Sequence, residues 1–134
     1  MSAVFADTSF FVAFVNPRDS WHDLALATGD HLQGTVLTTG FVLVEFGNAL
    51  SQTRDRHLFV EFVEFMRSEP RFQIIPPSQD LLEQGLRLYS ERPDKDWSLT
   101  DVMSFAVMEE HGLTDALTTD HHFTQAGFNV LMKR

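Results

Sequence analysis

The chain has 134 residues, an ordinary length for one domain, and no composition shift divides it. Its 43 % hydrophobic content, with 13 Phe, supplies a core without staples and excludes intrinsic disorder. Cysteine is absent, which removes disulfides, zinc–thiolate sites and thiol nucleophiles together. The N-terminal residues Met1 to Asp7 carry no basic region, and the apolar run over residues 10–15 is too short to span a bilayer, so a cytoplasmic protein without membrane contact is expected.

In chain order, Ala3–Ala6 reads as a short buried strand, and Asp7, Thr8 and Ser9 are suited to capping a helix after it. Residues 19–32 have helical apolar spacing, with Gly34 as their stop. Thr35–Thr39 is β-branched and reads as the second strand. Helices are predicted over residues 41–52 and 57–67, then a strand at Phe72–Ile75, and a helix from Ser78 to about Ser90. After the loop 91–97, a helix over 100–111 ends at Gly112. Residues 115–119 form a strand, His121–Gln125 a short helix, and residues 128–132 a final strand. This alternation predicts an α/β fold, one domain over residues 1–134, with a mostly parallel central sheet covered by helices on both faces. In such sheets the functional crevice lies beyond the carboxyl ends of the strands.

Acids stand at those ends. Asp7 follows the first strand, Asp120 follows a late strand, and Asp101 opens a helix. Each alone has a bland reading as a helix cap, contributing about 1 kcal/mol. Asp101, however, shares its stripe with Phe105 and Met108 on an almost wholly apolar helix, and an inward acid needs a partner. Glu45 interrupts the run Phe41-Val42-Leu43-Val44-Glu45-Phe46 at the border of an apolar stripe, which neither capping nor simple solvation explains well. Two carboxylates about 4 Å apart repel by roughly 4 kcal/mol at an effective dielectric of about 20. Four together require cations or raised pKa values. Mg²⁺ or Mn²⁺ suits such oxygen ligands and supports phosphate chemistry without a His or Cys nucleophile. The formal net charge of −9 disfavours a broad basic nucleic-acid face. It is compatible with acids gathered around phosphate-bridging cations, and equally with an acidic groove that docks a basic protein.

At these same residues the sequence resembles the PIN-domain family, and within it the VapC-type toxins of toxin–antitoxin pairs. The matching blocks are Asp7-Thr8-Ser9-Phe10, Glu45, Trp97-Ser98-Leu99-Thr100-Asp101 with Ser104-Phe105, and Leu117-Thr118-Thr119-Asp120-His121-His122-Phe123. The resemblance implies a three-layer α/β/α fold and an endoribonuclease that uses one or two Mg²⁺ or Mn²⁺ ions and leaves 5′-phosphate and 3′-hydroxyl ends. It makes Asp7, Glu45, Asp101 and Asp120 the catalytic and metal-binding acids. Thr8 or Ser9 becomes a supporting hydroxyl, and Thr119 and His122 become secondary substrate contacts. It also implies an RNA substrate, a homodimer and a small antitoxin that brings an Arg or Lys towards the acids. Some members carry a further acid where this chain has His122, and Asp94, Asp96 and Asp115 are the remaining acids considered for the site's surroundings.

Other residues have competing readings. Adjacent His121 and His122 face apart on a helix, which argues against zinc. His22 reads as packing or capping before substrate contact. The helix carrying Phe59, Phe62 and Phe65 buries more than one face, either inside the monomer or at a homodimer surface. Arg54, Arg56, Arg67, Arg87, Arg92 and Lys95 are candidate backbone contacts, and Trp97 is either a staple or a base-stacking ring. The alternative to the nuclease is a non-catalytic PIN-like module whose acidic groove docks a basic protein. A phosphorylation receiver domain would want paired acids after the first strand, where Ala6 precedes Asp7.

Overall fold

The computed structural model describes residues 3–134. The five strands are β1 (Ala3–Ala6), β2 (Thr35–Thr39), β3 (Phe72–Ile75), β4 (Asp115–Leu117) and β5 (Asn129–Val130). The helices are α1 (Thr8–Val15), α2 (His22–Asp30), α3 (Gly40–Ala49), α4 (Arg56–Ser68), α5 (Gln79–Glu91), α6 (Leu99–Glu110) and α7 (His121–Gln125). All strand pairings are parallel, in the order β3-β2-β1-β4-β5. The expected α/β architecture with a parallel sheet is therefore observed, and parallel throughout.

The chain builds outward from β1 to β2 and β3, then returns to the other side of β1 for β4 and β5. The direction of winding reverses at the β1–β4 pair, where a parallel sheet opens a crevice at its carboxyl edge. Register pairs Phe5 with Ala116 and Ala6 with Leu117, so one step further Asp7 stands beside Thr118. The Asp7 backbone N–H still joins this ladder, donating to the Leu117 carbonyl at 3.0 Å.

Local chemistry sets the helix ends. Thr39 and Ser78 hydroxyls accept from the N–H groups of Val42 and Leu81, each at 3.1 Å. Gly112 takes φ +66° after α6, and Leu113 N–H returns to the Met108 carbonyl at 2.8 Å, closing a Schellman turn. The α2 start differs from expectation, because Asp19 Oδ1 accepts the Trp21 N–H at 2.8 Å and forms a turn before the helix. Helix α3 stops at Ala49 rather than residue 52, and β4 stops at Leu117 because Thr118 turns its hydroxyl into the site.

Helix α6 is buried from Asp101 to Met108. It packs against α5, where a Cβ on Gly85 would lie 2.4 Å from Met103 Cγ; only glycine permits that approach. Phe62 packs among Phe11, Phe14, Phe46, Phe65 and Phe72, so the α4 aromatics face largely into the monomer. Among the described residues, no helix is long and apolar enough to cross a membrane.

Candidate active site

Asp7, Thr8, Ser9, Glu45, Asp101, Thr119, Asp120 and His122 all line one open cavity of about 420 Å³ at the carboxyl edge of the sheet. Every site residue expected from sequence is thus brought together, from four separate parts of the chain. Val12, Asp19, Trp21 and Ser98 complete the wall.

Asp7 is 4 % exposed. Its Oδ2 accepts the Thr118 hydroxyl at 2.9 Å and the Ser9 hydroxyl at 3.2 Å. Those hydroxyls in turn accept backbone N–H groups from Asp120 and Thr119, at 3.0 and 3.1 Å. A polar relay therefore ties the end of β1 to the segment after β4. Burial, foremost, pushes the Asp7 carboxyl from 3.8 up to about 7; the Thr118 bond opposes this, and the charges of Asp101 and Glu45 add to it.

Asp101 is held differently. Ser98 and Asp101 form a capping box at the start of α6: the Ser98 hydroxyl accepts the Asp101 N–H at 3.0 Å, and Asp101 Oδ2 accepts the Ser98 N–H at 3.1 Å. His122 Nδ1 lies 3.0 Å from the same Oδ2 and 3.3 Å from Asp120 Oδ1. Burial, then the nearby Asp120 charge, raises the Asp101 pKa. Asp120 caps α7, accepting the His122 N–H on Oδ1 at 2.9 Å.

The Thr118 and Ser9 hydroxyls meet Oδ2 of Asp7, His122 Nδ1 meets Oδ2 of Asp101, and the His122 backbone N–H meets Oδ1 of Asp120. Each second oxygen keeps lone-pair capacity. The Thr8 hydroxyl, also in the cavity wall, is buried without a hydrogen-bond partner. Converging carboxylates, with burial suppressing ionisation of Asp7 and Asp101, beside an orphaned hydroxyl, fit a hard divalent cation and an oxygen-rich ligand.

Other expectations resolve individually. His121 and His122 rings lie 4.6 Å apart, and with Asp120 their ligand atoms fall within 4.8 Å of one another, closer than adjacency on a long helix implies. The cause is the helix start, where both follow directly on the Asp120 cap. His22 Nδ1 meets the Ala13 carbonyl at 2.7 Å and is outside the cavity wall. Asp94 pairs with Arg92 and Asp115 with Asn129, both away from the site. Trp97 packs edge-on against Phe105 and donates to Gln125, as a staple does. Sequence reasoning missed Thr118, whose position beside Asp7 follows only from the β1–β4 register.

The PIN-domain family profile matches residues 4–129. The chain belongs to the PIN-domain family. Among relatives of this PIN domain, the 23S rRNA-specific endonuclease VapC20 of Mycobacterium tuberculosis is 30 % identical over 125 residues, covering 93 % of this chain and 95 % of the relative. The crystal structure of VapC20, a sarcin–ricin-loop-cleaving toxin, superposes with a TM-score of 0.85 at 28 % identity, covering 93 % of this chain and 95 % of that one. FitAcB from Neisseria gonorrhoeae shares the fold at a TM-score of 0.67 and 18 % identity, covering 95 % of each chain. VapBC2 from Rickettsia felis does so at 0.64 and 15 %, covering 96 % of each.

Proposed function

We propose that this PIN domain is a VapC-type endoribonuclease, the toxin of a toxin–antitoxin pair, hydrolysing RNA phosphodiester bonds with Mg²⁺ or Mn²⁺. The observation that carries the reading is the convergence of Asp7, Glu45, Asp101 and Asp120 in one cavity with the unpartnered Thr8 hydroxyl. The four carboxylates would hold the cation, which when bound polarises the scissile phosphate and acidifies a water.

The chain's own residues do the rest. The hydrogen bonds from Thr118 and Ser9 fix one face of Asp7, and the capping box fixes Asp101, so the acids need no reorganisation to receive a ligand. Thr8 offers its hydroxyl to a phosphate oxygen, and Thr119 lines the same wall. A carboxylate accepts the proton from the attacking water. The water oxygen bonds to phosphorus as the P–O3′ bond breaks, and the departing O3′ takes a proton from solvent, leaving a 5′-phosphate and a 3′-hydroxyl.

The same proposal includes the cytoplasm as its location, the whole chain as one domain, a homodimer and a cognate small antitoxin. An Arg or Lys from that antitoxin would take up charge in the acid cavity. With α4 turning Phe62 inward, the exposed apolar side chains Val44, Val60 and Phe65 are the partner-facing surface that remains on α3 and α4.

The decisive experiment incubates purified protein with 23S rRNA, a sarcin–ricin-loop oligonucleotide and a tRNA panel, with Mn²⁺ or Mg²⁺, with EDTA, and as Asp7→Asn. Discrete cuts that need the metal and vanish in the variant support the reading. Cleavage that persists in EDTA and in Asp7→Asn overturns it, and metal binding without cleavage of any RNA supports the docking module instead.

A further inference from the structure

We infer that the site takes one divalent cation per chain, and that the His122 imidazole occupies the place where a second would bridge Asp101 and Asp120. This deepens the metal-dependent reading above and rests on it.

Asp7, Glu45, Asp101 and Asp120 line one cavity, and within it the Asp101 and Asp120 carboxylates both approach the His122 ring. Between Asp101 and Asp120 the space is taken. His122 Nδ1 stands 3.0 Å from Asp101 Oδ2 and 3.3 Å from Asp120 Oδ1, within hydrogen-bonding reach of the two oxygens that a bridging ion there would need. A single N–H in that position serves neutral and charged imidazole alike.

The ring is also held in place. The His122 backbone N–H is fixed by the Asp120 cap at 2.9 Å, its side chain is four-fifths buried, and His121 packs against it. Asp101 Oδ2 already accepts two donors, Ser98 N–H and His122, so this oxygen has little left for a metal, whereas Oδ1 remains. Asp7 and Glu45 line the same cavity as Asp101, and the hydrogen bonds to Asp101 fall on Oδ2.

The competing use of these residues is as ligands, since Asp120, His121 and His122 present atoms within 4.8 Å of one another. An ion held there would have to draw Nδ1 off Asp101. The two uses predict opposite responses to removing the imidazole: without a plug the ion count holds at one or rises, whereas without a ligand an ion is lost.

The test titrates the full chain with Mn²⁺ and follows the free ion by electron paramagnetic resonance, with circular dichroism as the check of folding. One ion per chain is expected for the wild type, at least one for His122→Ala, and two for His122→Asp, which puts a carboxylate at the bridging position. Two ions in the wild type overturn the inference, as does loss of the ion in His122→Ala. A folded His122→Asp that still holds one ion overturns it too. If His122→Asp fails to fold, the wild-type and His122→Ala counts still decide. No ion in the wild type at all would instead remove the metal reading on which the inference stands.

Discussion

Thr118 donates its hydroxyl to Asp7 Oδ2 at 2.9 Å, joining residues 111 apart in sequence at the reversal point of the sheet. Thr118 is fully buried, and its oxygen also accepts the Asp120 N–H. Replacing it with the isosteric Val keeps the packing, removes these two bonds and the 3.0 Å contact with the Ser9 hydroxyl, and leaves the Asp120 amide without its partner. Thr118→Val should cost about 1–3 kcal/mol, measured by urea unfolding at pH 7. Cleavage should fall with it, because Asp7 loses the bond that orients it. Wild-type stability and activity in this variant would show that the relay is incidental.

Burial holds the Asp7 carboxyl at about 7 rather than 3.8. An unfolded chain ionises this group near its ordinary value, so between about pH 4 and 7 the folded chain keeps a proton that the unfolded chain has released. The unfolded state binds fewer protons there, and stability falls as pH rises, levelling above about 7. A shift of about 3 units sets a ceiling of about 4 kcal/mol. With EDTA present, Asp7→Asn should match the wild type near pH 4 and exceed it above pH 7, by about 1–4 kcal/mol. Thermal unfolding from pH 4 to 8 reads this directly. Mn²⁺ should raise the melting temperature of the wild type at pH 8 more than that of the variant, since Asp7 has released its proton there and the ion offsets its buried charge.

Ser98 is the second anchor to test. Its hydroxyl caps α6, and its N–H holds Asp101 Oδ2. Ser98→Ala removes only the cap, at about 1 kcal/mol, and leaves the Ser98 N–H on Asp101 Oδ2 in place. Stability should drop by that amount and cleavage more modestly than in Asp101→Asn, with RNA affinity retained in a filter-binding assay. A Ser98→Asp variant, able to cap, should recover the stability.

Much of this site was legible before the fold. Asp7 and Asp120 announce themselves because each directly follows a short β-branched or apolar strand, and Asp101 and Glu45 because each breaks an apolar helical run. The hydroxyls beside Asp7 were half legible: Ser9 is local to it, whereas Thr118 is brought there by the β1–β4 pairing, and no periodicity within either strand reports pairing between them. A strand read through Thr119 also gave no reason to turn Thr118 inward towards Asp7. The His122–Asp101 contact joins α7 to α6 across 21 residues, and the sequence showed only an imidazole two residues after Asp120. Helix α4 left two readings open because periodicity shows that a face is apolar and is silent about what covers it.

The structure separates those readings within α4. Phe62 touches five aromatic rings from α1, α3, α4 and β3, with centroids 5.5 to 6.2 Å away, so it belongs to the monomer core. Val60, on the same helix, is 51 % exposed. Phe62→Ala should therefore cost about 3–5 kcal/mol in the monomer, visible in urea unfolding at any protein concentration. Val60→Asp should leave the monomer's unfolding free energy within about 0.5 kcal/mol of wild type, and lower the molar mass by light scattering if the exposed α3–α4 surface joins two copies. A Phe62→Ala protein as stable as wild type would mean that the aromatic cluster is loosely packed. An unchanged dimer in Val60→Asp would move the homodimer contact to another face.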